Sequence, residues 1–217
     1  MELNPKFEKR YYQKKFGGIF DRKLFTWKEL ENLINIRPLM TNNRVLHHDG
    51  REYEWENSLW SLDVNCYTPS LMSKLVKESG VCTFIDMSRA SEKINAFAKQ
   101  LEIDYNKETD AHIYTCMNIE GEHPFGSHWD LNDNVIVQCE GVTNFKVWEK
   151  IPEGWDGAKV HLNLIHKPLL DVEMKPGDAI WIPRYHPHLA TSRTSRMSVS
   201  FCQSEGTIYQ DREWVKL

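Results

Sequence analysis

The stretch GSHWDLNDNVIVQCEG, residues 126–141, decides how the chain is read. It sets His128 and Asp130 one residue apart and then enters an apolar segment. On extended backbone, alternate side chains point the same way, so this imidazole and this carboxylate share a face. A hydrogen-bonded pair at a turn is one reading. Two ligands of a metal site is the other, provided a distant strand returns a third. A ferrous oxygenase site needs two imidazoles and one carboxylate on one side of the ion, with the remaining positions open. The segment PGDAIWIPRYHPHLATS, residues 176–192, offers the missing imidazole. A turn, an apolar strand and a proline there lead to His186 and His188, and the residues alone leave both open.

Outward from this stretch, residues 112–202 read as short β-rich runs: HIYTCMNI, NVIVQCEG, NFKVWEK, KVHLNLI, LLDVEMKPGDAIWIP and SRMSVSFC. Gly and Pro fall between them, the pattern of a sandwich or barrel. Upstream the texture is mixed. Thr26 and Glu29 form a capping box before the stripe Trp27, Leu30, Leu33 and Ile34, which Pro38 stops. RVLHHDGREYEWE reads as a strand with a turn at Asp49-Gly50, SLMSKLVKES as a helix, VCTFID as a strand and SEKINAFAKQLEID as a second amphipathic helix. The expectation is one domain over 1–217: an α/β flank over 1–111, a β core over 112–204 and a tail over 205–217.

Composition supports a folded, soluble chain: of 217 residues 41% are apolar and 27% charged, enough for a real core. No apolar run approaches the length of a membrane span, and the start lacks the apolar segment of a signal peptide. Five scattered cysteines without a CxxC pair suggest a reducing compartment, hence a cytoplasmic location. Net charge is −4, yet residues 1–28 hold eight Lys/Arg against three Asp/Glu. That run is expected to be a solvated, partly mobile N-terminus, with an acidic partner such as nucleic acid as the other reading.

Taken together, GVCTFID, HIYT, GSHWDLNDNVIVQCEG and MKPGDAIWIPRYHPH resemble the JmjC-type cupin oxygenases, over roughly residues 80–202. The nearest resemblance is to the ribosomal oxygenase and asparaginyl hydroxylase-like branch. It implies a mainly β fold, a double-stranded β-helix of the cupin or jelly-roll kind, and an iron(II) site that uses 2-oxoglutarate as cosubstrate. In such proteins the distal histidine lies five residues after the proline of the IP step, which selects His188 over His186. His128, Asp130 and His188 are therefore the expected metal ligands.

The resemblance also places a Lys or Arg two residues after the glycine of QxxG, where it holds the distal carboxylate of 2-oxoglutarate. Here that position is Thr143, which cannot form a charge-assisted pair. Another branch of 2-oxoglutarate oxygenases uses an Arg-x-Ser pair on the strand after the distal histidine. Arg196 and Ser198 match it, separated from His188 by what should be a short hairpin. The expectation is that the cation has moved between strands, the alternative being a salt bridge from Arg196 to an internal carboxylate; Arg193 is a weaker candidate. Asn134 matches an asparagine that contacts the C1 carboxylate, or else forms a turn. Tyr114 matches a polar position near the cosubstrate, or else is a core tyrosine. Of eight tryptophans only Trp129 is tied to the site, and its parity turns it away from the metal.

What the resemblance implies is an iron(II)- and 2-oxoglutarate-dependent hydroxylase that releases succinate and CO2. A non-catalytic ligand-binding cupin and a metal-dependent dioxygenase without 2-oxoglutarate are the alternatives. The substrate is open among protein, RNA and small molecule. The branch acting on ribosomal proteins carries a further C-terminal winged-helix region, and this sequence ends at Leu217. A homodimer and no membrane partner are expected.

Overall fold

The computed structural model describes residues 4–16, 23–35, 43–49, 51, 53, 69–85, 87–89, 91–117, 121–122, 125–151, 167–192 and 194–204. Outside them fall the expected strand at 159–165, the stop at Pro38, Gly50, Arg193 and the tail. The strands are β1 (Lys6–Glu8), β2 (Asn43–Leu46), β3 (Val81–Phe84), β4 (Thr109–Cys116), β5 (Gly121–Glu122), β6 (Asp133–Glu140), β7 (Thr143–Val147), β8 (Leu170–Met174), β9 (Ala179–Ile182), β10 (His188–Ser192) and β11 (Arg196–Gln203). The helices are α1 (Tyr11–Phe16), α2 (Trp27–Ile34), α3 (Pro69–Glu78) and α4 (Glu92–Tyr105).

Two antiparallel sheets form the body, one ordered β1-β9-β6-β11-β4-β3-β2 and the other β5-β10-β7-β8. The larger sheet is covered on both sides, and strict alternation divides its side chains. Ala111 and Ile113 of β4, Val135 and Val137 of β6, and Met197, Val199 and Phe201 of β11 join the helices in one core. Phe201 meets Phe97 of α4 at 4.7 Å between ring centroids. Burying a side chain of that kind contributes about 1.5–3 kcal/mol. Ile136, Ile180 and Ile182 point the other way and pack on Phe145, Val147 and Met174 of the smaller sheet. Burial on both faces is why β6 reads as a nearly unbroken apolar run. The fold is thus mainly β, a double-stranded β-helix with helices on its outer face.

Two caps set the helices that cover the sheet. Thr26 accepts the Glu29 amide at 3.2 Å, while its hydroxyl donates to the Glu29 carboxylate at 2.7 Å. Ser91 accepts the Ile94 amide at 3.1 Å and starts α4. The β8–β9 turn is fastened by Asp178, whose carboxylate accepts the amides of Lys175 at 2.9 Å and Arg10 at 2.8 Å. At the β6–β7 turn Gly141 has φ +68°, and a Cβ there would lie 2.1 Å from the Ser195 carbonyl oxygen.

Three expectations change. The basic N-terminal segment is docked in its described part: β1 pairs with β9, Tyr12 is buried, and Lys15 and Lys23 pair with Asp104 and Glu140. Its charges neutralise carboxylates of the body, while Tyr12 supplies the burial that holds it. Strands from 1–111 also extend both ends of the large sheet, β1 at one and β2–β3 at the other, so flank and core share one sheet. And residues 188–203 form no hairpin. β10 pairs with β5 and β7, whereas β11 pairs with β4 and β6. The two strands therefore lie in different sheets.

Candidate active site

His128 lies just outside the regular strands, yet a backbone bridge fixes it. The His128 amide donates to the His188 carbonyl at 3.1 Å, and the His188 amide returns a bond at 2.7 Å. Asp130 is held by its neighbours: its carbonyl accepts the Tyr185 amide at 2.9 Å, and Tyr185 has the left-handed φ of 63°. This conformation is costly for a tyrosine and turns the chain back toward Asp130.

The three side chains converge. His128 Nε2 lies 3.9 Å from Asp130 Oδ1, and His188 Nε2 lies 3.6 Å from Asp130 Oδ2. One donor atom from each of the three falls within 4.8 Å of the others, the spread expected around a single ion. Both tautomers are set by backbone. His128 Nδ1 faces the Gly126 carbonyl at 3.1 Å and His188 Nδ1 the His186 carbonyl at 3.0 Å. A carbonyl only accepts, so each Nδ1 carries the proton and each Nε2 presents a lone pair. Burial, with His128 beside it, pushes the His188 imidazole down to about 4, against the pull of Asp130, so it is neutral at ordinary pH. His186 does not join them: its Nδ1 faces the Pro183 and Arg184 carbonyls.

A cavity of about 230 Å³ opens beside this cluster. Arg196 and Ser198 of β11, Tyr114 and His112 of β4, and Ala190 of β10 are among its walls. Arg196 is 2% exposed, its Nη1 is 3.4 Å from the Ser198 hydroxyl, and its Nε has no hydrogen-bond partner among the described residues. A buried guanidinium on the wall of a cavity is arranged for an anion. Tyr114 also faces the space; burial is the main reason its phenol is pushed up and stays protonated, a donor or acceptor rather than a charge.

Asn134 and Thr143 are not among the residues that line this cavity. Asn134 does not line the cavity; its amide donates to Asp130 Oδ2 at 2.7 Å and its carbonyl oxygen accepts from Ser200 at 3.4 Å. The register of β6 puts it behind the carboxylate, where it orients Asp130. Thr143 is fully buried on β7, off the cavity wall, with its hydroxyl unpartnered among the described residues. Trp129 turns away from the cluster and packs on Tyr185 at 5.3 Å between centroids.

Other residues of the cavity were not singled out by sequence. His112 shares the inward parity of Tyr114, and alternation along HIYT could have located it. Arg44, on β2, reaches the cavity and lies over Phe125 at 5.3 Å. Nothing local in the sequence signals that β2 lies at this end of the sheet.

The fold and the cluster define a double-stranded β-helix of the His-x-Asp…His kind. The family model described as JmjC domain matches residues 88–210, more than half of the chain, and the chain belongs to that family. No curated protein matches it in sequence. Among solved structures it is similar to YcfD, a ribosomal oxygenase from Escherichia coli, in complex with cobalt and 2-oxoglutarate. That match has a TM-score of 0.61 at 20% identity and covers 94% of this chain and 49% of YcfD. The YcfD complex with cobalt and succinic acid gives a TM-score of 0.58 at 20% identity, with 94% and 49% covered. The chain spans about half the length of these solved structures. Among the described residues no helix is long and apolar enough to cross a membrane.

Proposed function

We propose that the protein is an iron(II)- and 2-oxoglutarate-dependent oxygenase that hydroxylates its substrate. The observation that carries this is the junction of the His128, Asp130 and His188 donor set with a cavity holding a buried, incompletely satisfied arginine. The residues fit both groups: two imidazole lone pairs and a carboxylate suit iron(II), and a guanidinium suits a carboxylate.

In this reading His128, Asp130 and His188 hold the metal, and Asn134 fixes the rotamer of Asp130. Arg196 and Ser198 bind the far carboxylate of the cosubstrate, and Tyr114 supplies a neutral polar contact. Thr143 leaves the β7 position without a charge, so Arg196 is the cation that compensates. The bound metal and 2-oxoglutarate supply the oxidising chemistry, with O2 consumed and succinate and CO2 released. The protein orients them in a small cavity and keeps the His188 imidazole neutral.

The chain forms a single JmjC-type domain, with a flank over 1–111, a core over 112–204 and a tail over 205–217. Its location is intracellular, in keeping with the described free cysteines. YcfD is described as a ribosomal oxygenase, so a ribosomal protein is the first substrate to test against RNA and small molecules. A homodimer would cover exposed Ile103 and Leu131, and light scattering that gives 25.6 kDa at micromolar concentration counts against it.

The test of function is succinate release. Purified protein with iron(II), 2-oxoglutarate and O2 should form succinate in an iron-dependent manner. Iron binding without 2-oxoglutarate binding would point to a metal-dependent cupin of another kind, and binding of neither would leave a ligand-binding module.

A further inference from the structure

Beyond the cavity, a second and more open hollow of about 670 Å³ lies between α4 and the ends of β4 and β11. Asp110, His112 and Cys202 line it, with Lys99, Glu102 and Asn132 among its other walls. The first three are in contact in order. Asp110 Oδ2 is 3.2 Å from His112 Nε2, and His112 Nδ1 is 3.9 Å from Cys202 Sγ. The strand register makes this arrangement, because Cys202 pairs with Asp110 across β4–β11 while Ser200 pairs with His112. All three side chains therefore stand on the same side of neighbouring strands.

We propose that Cys202 is a reactive thiol, a modification site served by the Asp110–His112 pair. The carboxylate accepts the Nε2 proton and holds the ring so that Nδ1 faces the sulfur. The thiol proton can pass to Nδ1, leaving a thiolate beside an imidazolium, the form in which cysteine is nucleophilic. Burial alone would lower the basicity of His112, but its contacts with Asp110 and Cys202 outweigh burial and bring the ring to about 10, so it retains the proton. Cys202 is partly exposed, whereas Cys82, Cys116 and Cys139 are buried. Burial and unbroken packing, by contrast, raise the thiols of Cys82 and Cys139 and hold them inert. With hydrogen peroxide as the oxidant, the Cys202 sulfur attacks one oxygen and the O–O bond breaks. The product is a sulfenic acid, and the departing hydroxide takes the thiol proton to leave as water.

Site-resolved alkylation of the native full-length chain tests this. A Cys66→Ser background removes the one cysteine outside the described residues. With limiting iodoacetamide at neutral pH, the sulfur displaces iodide from the methylene carbon, and peptide mass spectrometry follows each cysteine. Cys202 should react at least tenfold faster than Cys82, Cys116 and Cys139. His112→Gln should slow Cys202 about tenfold, Asp110→Asn less, and circular dichroism should stay unchanged. Asp110→Asn is the second variant because it keeps the ring and its packing. Labelling of Cys202 no faster than that of the buried cysteines overturns the proposal. So does a Cys202 rate unaffected by either substitution, since exposure alone would then account for it.

Discussion

Arg196→Met separates the role of a cosubstrate anchor from that of a structural ion pair. Arg196 is 2% exposed, and its Nε has no hydrogen-bond partner among the described residues. Removing it from the ligand-free protein therefore breaks weak contacts to Ser198 and Cys116 and relieves a buried charge. The melting temperature without ligand should stay within a degree or two of wild type, or rise. With 2-oxoglutarate the outcome differs. Breaking a buried pair by removing one partner costs about 3–5 kcal/mol, roughly a hundredfold to a few thousandfold in Kd. At 2-oxoglutarate near 100 times the wild-type Kd, binding stabilises the native state by about 2.7 kcal/mol. For a chain of 217 residues that is an upward shift of about 5–10 °C, at roughly 2–4 °C per kcal/mol. In Arg196→Met the same concentration is at or below Kd, so the gain falls to about 0.4 kcal/mol or less, about 1 °C. Differential scanning fluorimetry with cobalt(II) in place of iron reads both numbers without turnover. A full ligand-induced shift in Arg196→Met refutes the assignment, as does a lowered melting point in the ligand-free variant. Thr143→Ala, off the cavity wall, should keep the wild-type shift.

Other substitutions probe the metal cluster and the frame around it. His188→Ala should abolish cobalt(II) binding followed by absorbance, whereas His186→Ala should keep it and cost only about 1–3 kcal/mol for the carbonyls it leaves unpaired; loss of binding in both variants would put the register of β10 in question. Two histidines give opposite pH slopes. His188, lowered by burial, contributes stability that is full above about 6.5 and is lost as pH falls toward about 4. His112, raised mainly by Asp110 against its burial, contributes stability present below 6.5 and lost as pH rises through about 10. Urea unfolding of the metal-free protein should therefore give its highest midpoint near neutrality, and His112→Gln should flatten the alkaline side alone. Gly141→Ala should destabilise by more than about 2 kcal/mol, since a left-handed φ and a Cβ driven against the Ser195 carbonyl act together; a midpoint within experimental error of wild type would count against the turn geometry. Peroxide treatment should weaken cobalt(II) binding in wild type and not in Cys202→Ser. The path is the chain of contacts from Cys202 to Ser200 at 4.0 Å, Asn134 at 3.4 Å and Asp130 at 2.7 Å. Equal binding before and after oxidation would show that the path carries nothing.

Much of this was legible because it is local. His128 and Asp130 share a face by strand parity, the capping residue Thr26 announces its helix, and the family resemblance, through its spacing after Pro183, selects His188 over its neighbour. What escaped depends on distance along the chain. Arg44 reaches the cavity because β2 pairs with β3 and β3 with β4, two steps of pairing that no window of sequence contains. The docking of the basic segment depends on β1 finding the free edge of β9, and its charge said nothing of that. Asn134 had the right spacing from Asp130, but spacing does not say which side of a carboxylate an amide occupies. The bond to Asp130 Oδ2 puts it behind.

The displaced cation shows where the two kinds of information meet. Alternation along β11 assigns Arg196, Ser198, Ser200 and Cys202 to one face and Met197, Val199 and Phe201 to the other. The apolar set is bound to the helix-covered core, so the polar set has nowhere to go but the interior between the sheets. A run of three polar side chains, Arg196, Ser198 and Ser200, facing inward would be a defect in a packed sandwich. It is tolerable only if the interior at that place is not packed. The cavity is therefore implied by the same pattern that places the arginine, and β7 needs no charge at Thr143 because β11, in the other sheet, already brings one to the space. The reading of β11 stands or falls on that alternation. Ser198→Val adds no bulk beyond a methyl group but replaces a cavity-facing hydroxyl. It should weaken 2-oxoglutarate binding by about tenfold, the loss of roughly one hydrogen bond, and leave cobalt(II) binding intact. Unchanged affinity for both would mean that the anion, if it binds, lies elsewhere than along β11.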